Sequence, residues 1–256
     1  MYSLYLTALK SLAVKETYRY MRIWVQTLVP PVITTSLYFI IFGNLIGSRI
    51  GEMEGFTYME FIVPGLIMMS VITSSYSNVS SSFFSQKFQR NIEELLVAPV
   101  PTHIIMWGFI LGGLGRSTLV GALVTTVSLL FVPLQVFSWP VILLTLLMTS
   151  VLFSLAGLFN GIFAQSFDDV SIVPTFVLQP LTYLGGVFYA ISTLPPIWQT
   201  ISRFNPIVYM ISSFRYGFLG LADVAVWLSF FVLSVFIAVL YGFCWYFIQK
   251  GRGLRT

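Results

Sequence analysis

The 256-residue chain is 57% hydrophobic and 17% aromatic, carries only 9% charged residues and has a net charge of +4. A soluble domain keeps its surface wet with about 25% charged residues, so the composition excludes an ordinary soluble protein and points to a chain solvated mostly by lipid. The basic excess forms no face or arginine-rich run of the kind that binds nucleic acid. A single cysteine, Cys244, excludes an internal disulfide and a thiolate metal cluster.

In chain order, residues 2–22 come first. Tyr2, Tyr5, Leu6, Leu9, Leu12 and Ala13 fall at helical spacing, with Lys10, Lys15, Arg19 and Arg22 elsewhere. The pattern predicts an amphipathic helix lying in the cytoplasmic interface. The first apolar run begins only after it and is too long for a signal peptide. A membrane helix needs about 20 mainly apolar residues. Six stretches qualify, over roughly 24–46, 58–80, 104–131, 139–164, 170–191 and 225–248. No linker separates domains, so 1–256 reads as one all-α polytopic membrane domain.

Basic residues set its sidedness. Lys10, Lys15, Arg19, Arg22, Lys87, Arg90, Lys250, Arg252 and Arg255 fall on one side, against Arg49, Arg203 and Arg215 on the other. Lys/Arg excess marks the cytoplasm. Both termini are therefore expected inside, as an even number of spans requires. A bacterial inner membrane is the simplest setting.

Between the second and third spans, Lys87, Arg90, Glu93 and Glu94 concentrate the charge of a sparing sequence. Phe88, Ile92, Leu95 and Leu96 follow i, i+4, i+7, i+8, while Gln89, Arg90, Glu93 and Glu94 take the other faces. Arg90 and Glu94 form an i, i+4 pair. The spacing predicts one short amphipathic helix over 86–98, stopped by Pro99 and Pro101. It is either an interfacial loop helix or a helix that docks on a cytoplasmic partner. Segment 192–221 is broken by Pro195, Pro196 and Pro206 and carries Arg203 and Arg215. It is too broken for one span and too apolar for a loop, which fits short helices dipping into the outer leaflet.

Reactive chemistry is scarce. His103 is the only histidine, and Asp and Glu together number nine. No catalytic constellation or metal site emerges, and no phosphate-binding loop occurs. Asp168 and Asp169 read as caps at the start of the fifth span, and Asp223 as a cap on the sixth. Gly112-Gly113 and Gly185-Gly186 read as close helix packing inside apolar helices. Arg116 lies about 20 Å from Pro101 at 1.5 Å per residue. It either faces the bundle, water or a partner, as an intramembrane arginine does by default, or snorkels from a cytoplasmic extension of its helix. An intramembrane enzyme acting on lipid or cell-wall precursors is the alternative function, and the poverty of histidines and acids argues against it.

The chain resembles the ABC-2 type transport permeases, the membrane subunits of ATP-binding-cassette exporters, over its full length. The resemblance is carried by the basic amphipathic first helix, the six spans and the loop QRNIEELLVAPVP. Most specific are Gly185-Gly186, then Leu194-Pro195, then Pro206-Ile207-Val208-Tyr209 and Arg215. The resemblance implies that 86–98 is a coupling helix in which Phe88, Gln89, Arg90, Asn91, Glu93, Glu94, Leu95 and Leu96 seat an ATPase. It also implies re-entrant outer-side helices over 192–221 and a homodimer embedded in lipid around a central pathway. ATP and Mg would then sit on the separate ATPase, with no cofactor in this chain. The aromatic, apolar spans fit an amphipathic export substrate, and fit ordinary packing as well.

Overall fold

Residues 2–253 are described by the computed structural model. Arg255, one of the charges used for orientation, and the side chain of Tyr2 lie outside the described residues.

Helix α1 (Tyr2–Arg22) breaks at Ile23 and continues as α2 (Trp24–Tyr38). α2 keeps Pro30 and Pro31 inside it and widens into a π-helical segment, Phe39–Gly47. A single turn, α3 (Ser48–Ile50), leads to a hairpin of β1 (Glu52–Met53) and β2 (Phe56–Thr57). Then come α4 (Tyr58–Phe88), α5 (Asn91–Val97), α6 (Thr102–Ser128) and α7 (Trp139–Phe163). α8 (Phe167–Val173) and α9 (Gln179–Tyr183) are joined by a π turn, Pro174–Leu178. A 3₁₀ turn at Ile191–Thr193 precedes α10 (Pro196–Arg203), α11 (Pro206–Leu219) and α12 (Val226–Lys250).

Among the described residues, five helices are long and apolar enough to cross a membrane: Trp24–Gly43, α4, α6, α7 and α12. The predicted fifth span, 170–191, is shorter than expected. Helix runs from Phe167 to Tyr183 and the chain then turns. That rod is about 25 Å long at 1.5 Å per residue. Pro174 and Pro180 supply no amide donors, and the π turn between them takes up the resulting mismatch.

α4 is the centre of the bundle. It is 31 residues long and buried along most of that length. A capping box starts it: Thr57 Oγ1 accepts from Glu60 N, and Glu60 Oε2 accepts from Thr57 N at 2.9 Å. α6, α7 and α11 pack around it. Glycines allow the closest approaches. A Cβ at Gly157 of α7 would meet the Tyr76 carbonyl oxygen of α4, and one at Gly65 of α4 would lie 2.9 Å from Val187 Cα. Gly112 and Gly113 act as expected. Their missing Cβ atoms make room for Glu16 of α1 on one side and for Ser154 and Val79 on the other.

α1 forms over the expected residues and packs on the bundle. Leu12 packs at Gly108, Glu16 at Gly112 and Tyr20 at Gly115, so α1 runs along α6 in the same direction. Its inward face covers a glycine groove of the protein. Leu6, expected on the apolar face, is exposed.

Gly157→Leu forces a branched side chain into a backbone contact and should cost about 3 kcal/mol, the upper end of the usual overpacking range. Gly242→Ala, where nothing lies within 4 Å, should stabilise α12 by up to about 1 kcal/mol, the helix-propensity gain of Ala over Gly. Thermal unfolding of both variants in detergent checks the pair.

Candidate functional site

Three places carry polar side chains that packing alone does not require.

The first is the end of the bundle bearing α5. α4 runs on through Phe88, and Arg90 takes the left-handed conformation, φ 61°, as the residue before α5. The predicted single helix over 86–98 is therefore two helices joined by a tight turn. Phe88 belongs to α4, its ring 5.4 Å from Phe167 of α8. The turn is tied locally: Gln89 Nε2 donates to Ser85 Oγ at 3.0 Å and Asn91 Nδ2 to Gln89 Oε1 at 3.4 Å. With Arg90 off the helical register, it makes no ion pair with Glu94. Among the described residues the ion pairs are Arg19–Glu16 and Arg215–Asp223.

α5 is anchored by one side chain. Ile92 is buried against Val79, Phe83, Ile105 and Met106, with Leu95 packed beside it. Glu93, Glu94, Leu96 and Val97 are exposed, Val97 at 86%. Lys87, counted in the sequence with the docking charges, is buried. Its Nζ donates to the carbonyls of Ile162 and Ala164 at 2.7 and 2.8 Å, closing the C-terminal end of α7, where a helix favours positive charge. On the other side of α4, Ser82 Oγ and Gln86 Nε2 donate to the buried carboxylate of Glu16 at 2.7 and 3.3 Å. Arg19 pairs with Glu16 at 3.2 Å and reaches the carbonyl and side-chain oxygens of Asn78 at 2.8 Å. At the turn into α8, Asp169 completes a capping box with Ser166. Backbone N–H groups of Gln165 and Ser166 hold its carboxyl below the usual carboxylate range. The capping role expected there is found. His103 stacks between Tyr241 and Trp245 at the same end, its Nδ1 2.6 Å from the Tyr241 hydroxyl.

The second place is a cavity of about 330 Å³ between α2, α4 and the rod from α8 to α9. Arg116 lies at one end, its Nη2 donating to the Thr27 carbonyl in the first turn of α2 at 3.3 Å. At the other end Tyr38 and Tyr183 bring their hydroxyls to 3.3 Å, and Phe42 stacks on Phe188 at 4.7 Å.

The third is at the opposite end of the bundle, in 192–221. α10 turns Ile197, Trp198, Ile201 and Phe204 outward, while α11 is buried against α4, α7 and α12. Arg215 is 1% exposed. Its guanidinium donates to Asp223 Oδ2 at 2.8 Å and to the Gly186 carbonyl at 2.5 Å, and lies 3.8 Å over the Phe61 ring. Asp223 therefore does not cap α12, whose preceding residue, Ala225, makes no side-chain cap. Its other oxygen accepts from Ile191 N at 3.3 Å. Gly185 and Gly186 lie in the turn after α9, not inside a helix, and Gly186 has φ 81°. Leu194 and Pro195 lead into α10, where Gln199 Nε2 donates to the Leu194 carbonyl at 2.8 Å. Pro206 is the first residue of α11, and Tyr209 donates its hydroxyl proton to the Arg203 carbonyl at 2.7 Å. The fold thus joins Gly186 to Arg215 through side-chain and backbone contacts. Nothing local in the sequence assigns Phe61 or Asn205 to this region. Asn205 caps α11 by accepting from Ile207 N at 3.0 Å, and its Nδ2 donates to Leu181 O at 2.6 Å.

The sequence signature described as ABC-2 type transporter matches residues 7–219. The chain belongs to the ABC-2 type transporter family. The permease is 68% identical to the inner membrane transport permease YadH of Escherichia coli strain K12 over 256 residues, covering all of both chains. It is 26% identical to nodulation protein J of Rhizobium leguminosarum bv. viciae over 201 residues, 77% of this permease and 76% of that protein. Against nodulation protein J of Sinorhizobium fredii it is 25% identical over 185 residues, 71% and 69% of the two chains.

Arg215→Leu leaves the Gly186 carbonyl and the Asp223 carboxylate without their cation. Breaking one side of a buried pair costs about 3–5 kcal/mol, so the yield of folded permease should collapse. Arg215→Lys should retain part of it, and Arg215→Leu with Asp223→Leu should recover more than Arg215→Leu alone. Fluorescence-detected gel filtration of the variants reads this directly.

Proposed function

We propose that this chain is the membrane subunit of an exporter driven by a separate ATPase that docks on α5, with ATP and Mg bound on the ATPase. The observation that carries it is α5 itself. A short helix presents two carboxylates and two apolar side chains to solvent, on a base fixed by Ile92 and Lys87. An interfacial loop has no need of such a base. Family membership supports an ATP-binding partner, and the name of the Escherichia coli relative supports a bacterial inner membrane. The basic residues at this end favour both termini in the cytoplasm.

The same end has a route to the cavity. Ser82 and Gln86 hold Glu16 of α1, which leads into α2. Phe84 and Phe88 hold Phe167 of α8, at 4.9 and 5.4 Å, which leads into α9. α2 and the α8–α9 rod are two walls of the cavity. A displacement of α5 and the last turns of α4 by a closing ATPase would therefore reach both walls, opening and shutting a central pathway. Beside the cavity, α2 and the α8–α9 rod expose Ile33, Leu37, Phe176 and Val177. A second copy set against these faces would complete the pathway as a homodimer. α10, with its outward apolar side chains, would lie in the outer leaflet.

The exposed face of α5 separates two contributions. Val97 would fill an apolar hollow of the ATPase, while Glu93 and Glu94 would meet basic groups at its rim. Burying one such anchor contributes about 2 kcal/mol, so Val97→Asp should weaken ATPase binding about thirtyfold at any salt concentration. Glu94→Lys should weaken it less, with the loss shrinking as salt rises. The readouts are recovery of the co-expressed ATPase and ATP hydrolysis in nanodiscs at two salt concentrations. Full recovery and normal turnover with both variants would leave α5 as an interfacial loop.

A further inference from the structure

We propose that the cavity between α2, α4 and the α8–α9 rod takes an amphiphile with an anionic head group, held by Arg116. The proposal rests on this cavity being the transport pathway, and it names the substrate class. Arg116 is the only Lys, Arg, Asp or Glu among the residues that line it. Its Nε is buried with no partner, and its Nη2 makes one long hydrogen bond, to a carbonyl. Among the described residues no carboxylate forms an ion pair with it. A desolvated guanidinium without a counter-charge is unfavourable in a membrane protein; among the described residues Glu16 and Arg215 each have an ion-pair partner, although Arg215 Nε is likewise unbonded, and Lys87 is held by two carbonyls at 2.7 and 2.8 Å.

The neighbouring wall suits an anion. Ser70, Thr73, Ser74 and Ser77 of α4 follow i, i+3, i+4, i+7 and line the cavity together. The hydroxyls of Ser74 and Ser77 make no hydrogen bond within the protein among the described residues, so both are free to donate to head-group oxygens. No acidic side chain lines the cavity to repel them. Farther along, Leu66, Met69 and Leu178 add apolar surface beside Thr35, Gln179 and Thr182, and Tyr38 closes that end. The charge sits at one end of the cavity and its apolar side chains lie toward the other, as the groups of an amphiphile do. Thr27, at the level of Arg116, stands in the first turn of a span, where a head group in the membrane interface would be met. A cationic head would be repelled, and a neutral one would leave the guanidinium unpaired. A guanidinium binds phosphate and carboxylate alike as a planar fork.

The test uses the full-length permease in phosphatidylcholine nanodiscs with four labelled probes of equal chain length: dodecyl phosphate, dodecanoate, dodecyltrimethylammonium and dodecyl maltoside. One or both anions should bind at least about tenfold more tightly than the cation, a difference of one counter-charge in a partly buried site. Their ranking tells phosphate from carboxylate. Arg116→Gln should erase the preference and Arg116→Lys should keep part of it. Independently of any Arg116 variant, a thiol at Ser77→Cys, with Cys244→Ser, should be shielded from a thiol reagent by the anions and not by the cation. Binding that ignores head-group charge, a preference that survives in Arg116→Gln, or no binding of any probe would overturn the proposal. ATP hydrolysis by the permease–ATPase complex is read separately. Anion binding without stimulated hydrolysis would sustain the anion site and count against the transport reading alone.

Discussion

How closely α4 can approach α7 governs the rest of this molecule. Where Gly157 faces the Tyr76 carbonyl, no side chain separates the two backbones. Inside lipid the hydrophobic effect gives helices little reason to associate, and close packing of small residues takes over. With α7 set directly on it, α4 becomes a buried central rod. One of its ends lies under α5, its middle forms a cavity wall, and its start lies beneath Arg215. A central rod that touches all three places can carry a displacement from one to the others.

Ionised groups inside the bundle follow a single rule. Lys87 is spent on the carbonyls ending α7, Glu16 on Arg19, Ser82 and Gln86, and Arg215 on Asp223, Gly186 and the Phe61 ring. Each joins elements far apart in sequence, and each would be costly to leave alone. These are structural charges, and they hold the two ends of the bundle together. Arg116 has one carbonyl contact, to Thr27 at 3.3 Å, and lies beside a cavity. That contrast, more than its position in a span, separates it from the other three.

Much of the architecture could be read in the sequence because lipid imposes length and hydropathy on a span. All five long apolar helices start within two residues of their expected positions, and α4 runs eight residues farther than expected. The extension of α4 carries Lys87, which is buried against the end of α7. Arg215 pairs with Asp223, an acid that the sequence assigned to a helix cap. What could not be read depends on contacts between distant residues or on one backbone angle. The periodicity across Phe88, Ile92 and Leu95 is genuine, yet Arg90 in the left-handed region divides it between two helices. Nothing local marks an arginine for that conformation. α1 has the composition of an interfacial helix, and only the glycine groove on α6 shows where its inward face goes. The glycine pair at Gly185-Gly186 looks like helix packing until the early end of α9 places it in a turn.

The central claim is that an ATPase seated on α5 moves the cavity walls. It is tested most directly by the distance across the cavity. Spin labels at Thr34→Cys in α2 and Thr73→Cys in α4, with Cys244→Ser, report it in the permease–ATPase complex in nanodiscs. Pulsed electron resonance compares the nucleotide-free complex with the complex trapped by ATP and vanadate. A shift of the whole distance distribution on trapping is the predicted result. An identical distribution in both states, while the complex hydrolyses ATP, would contradict the account.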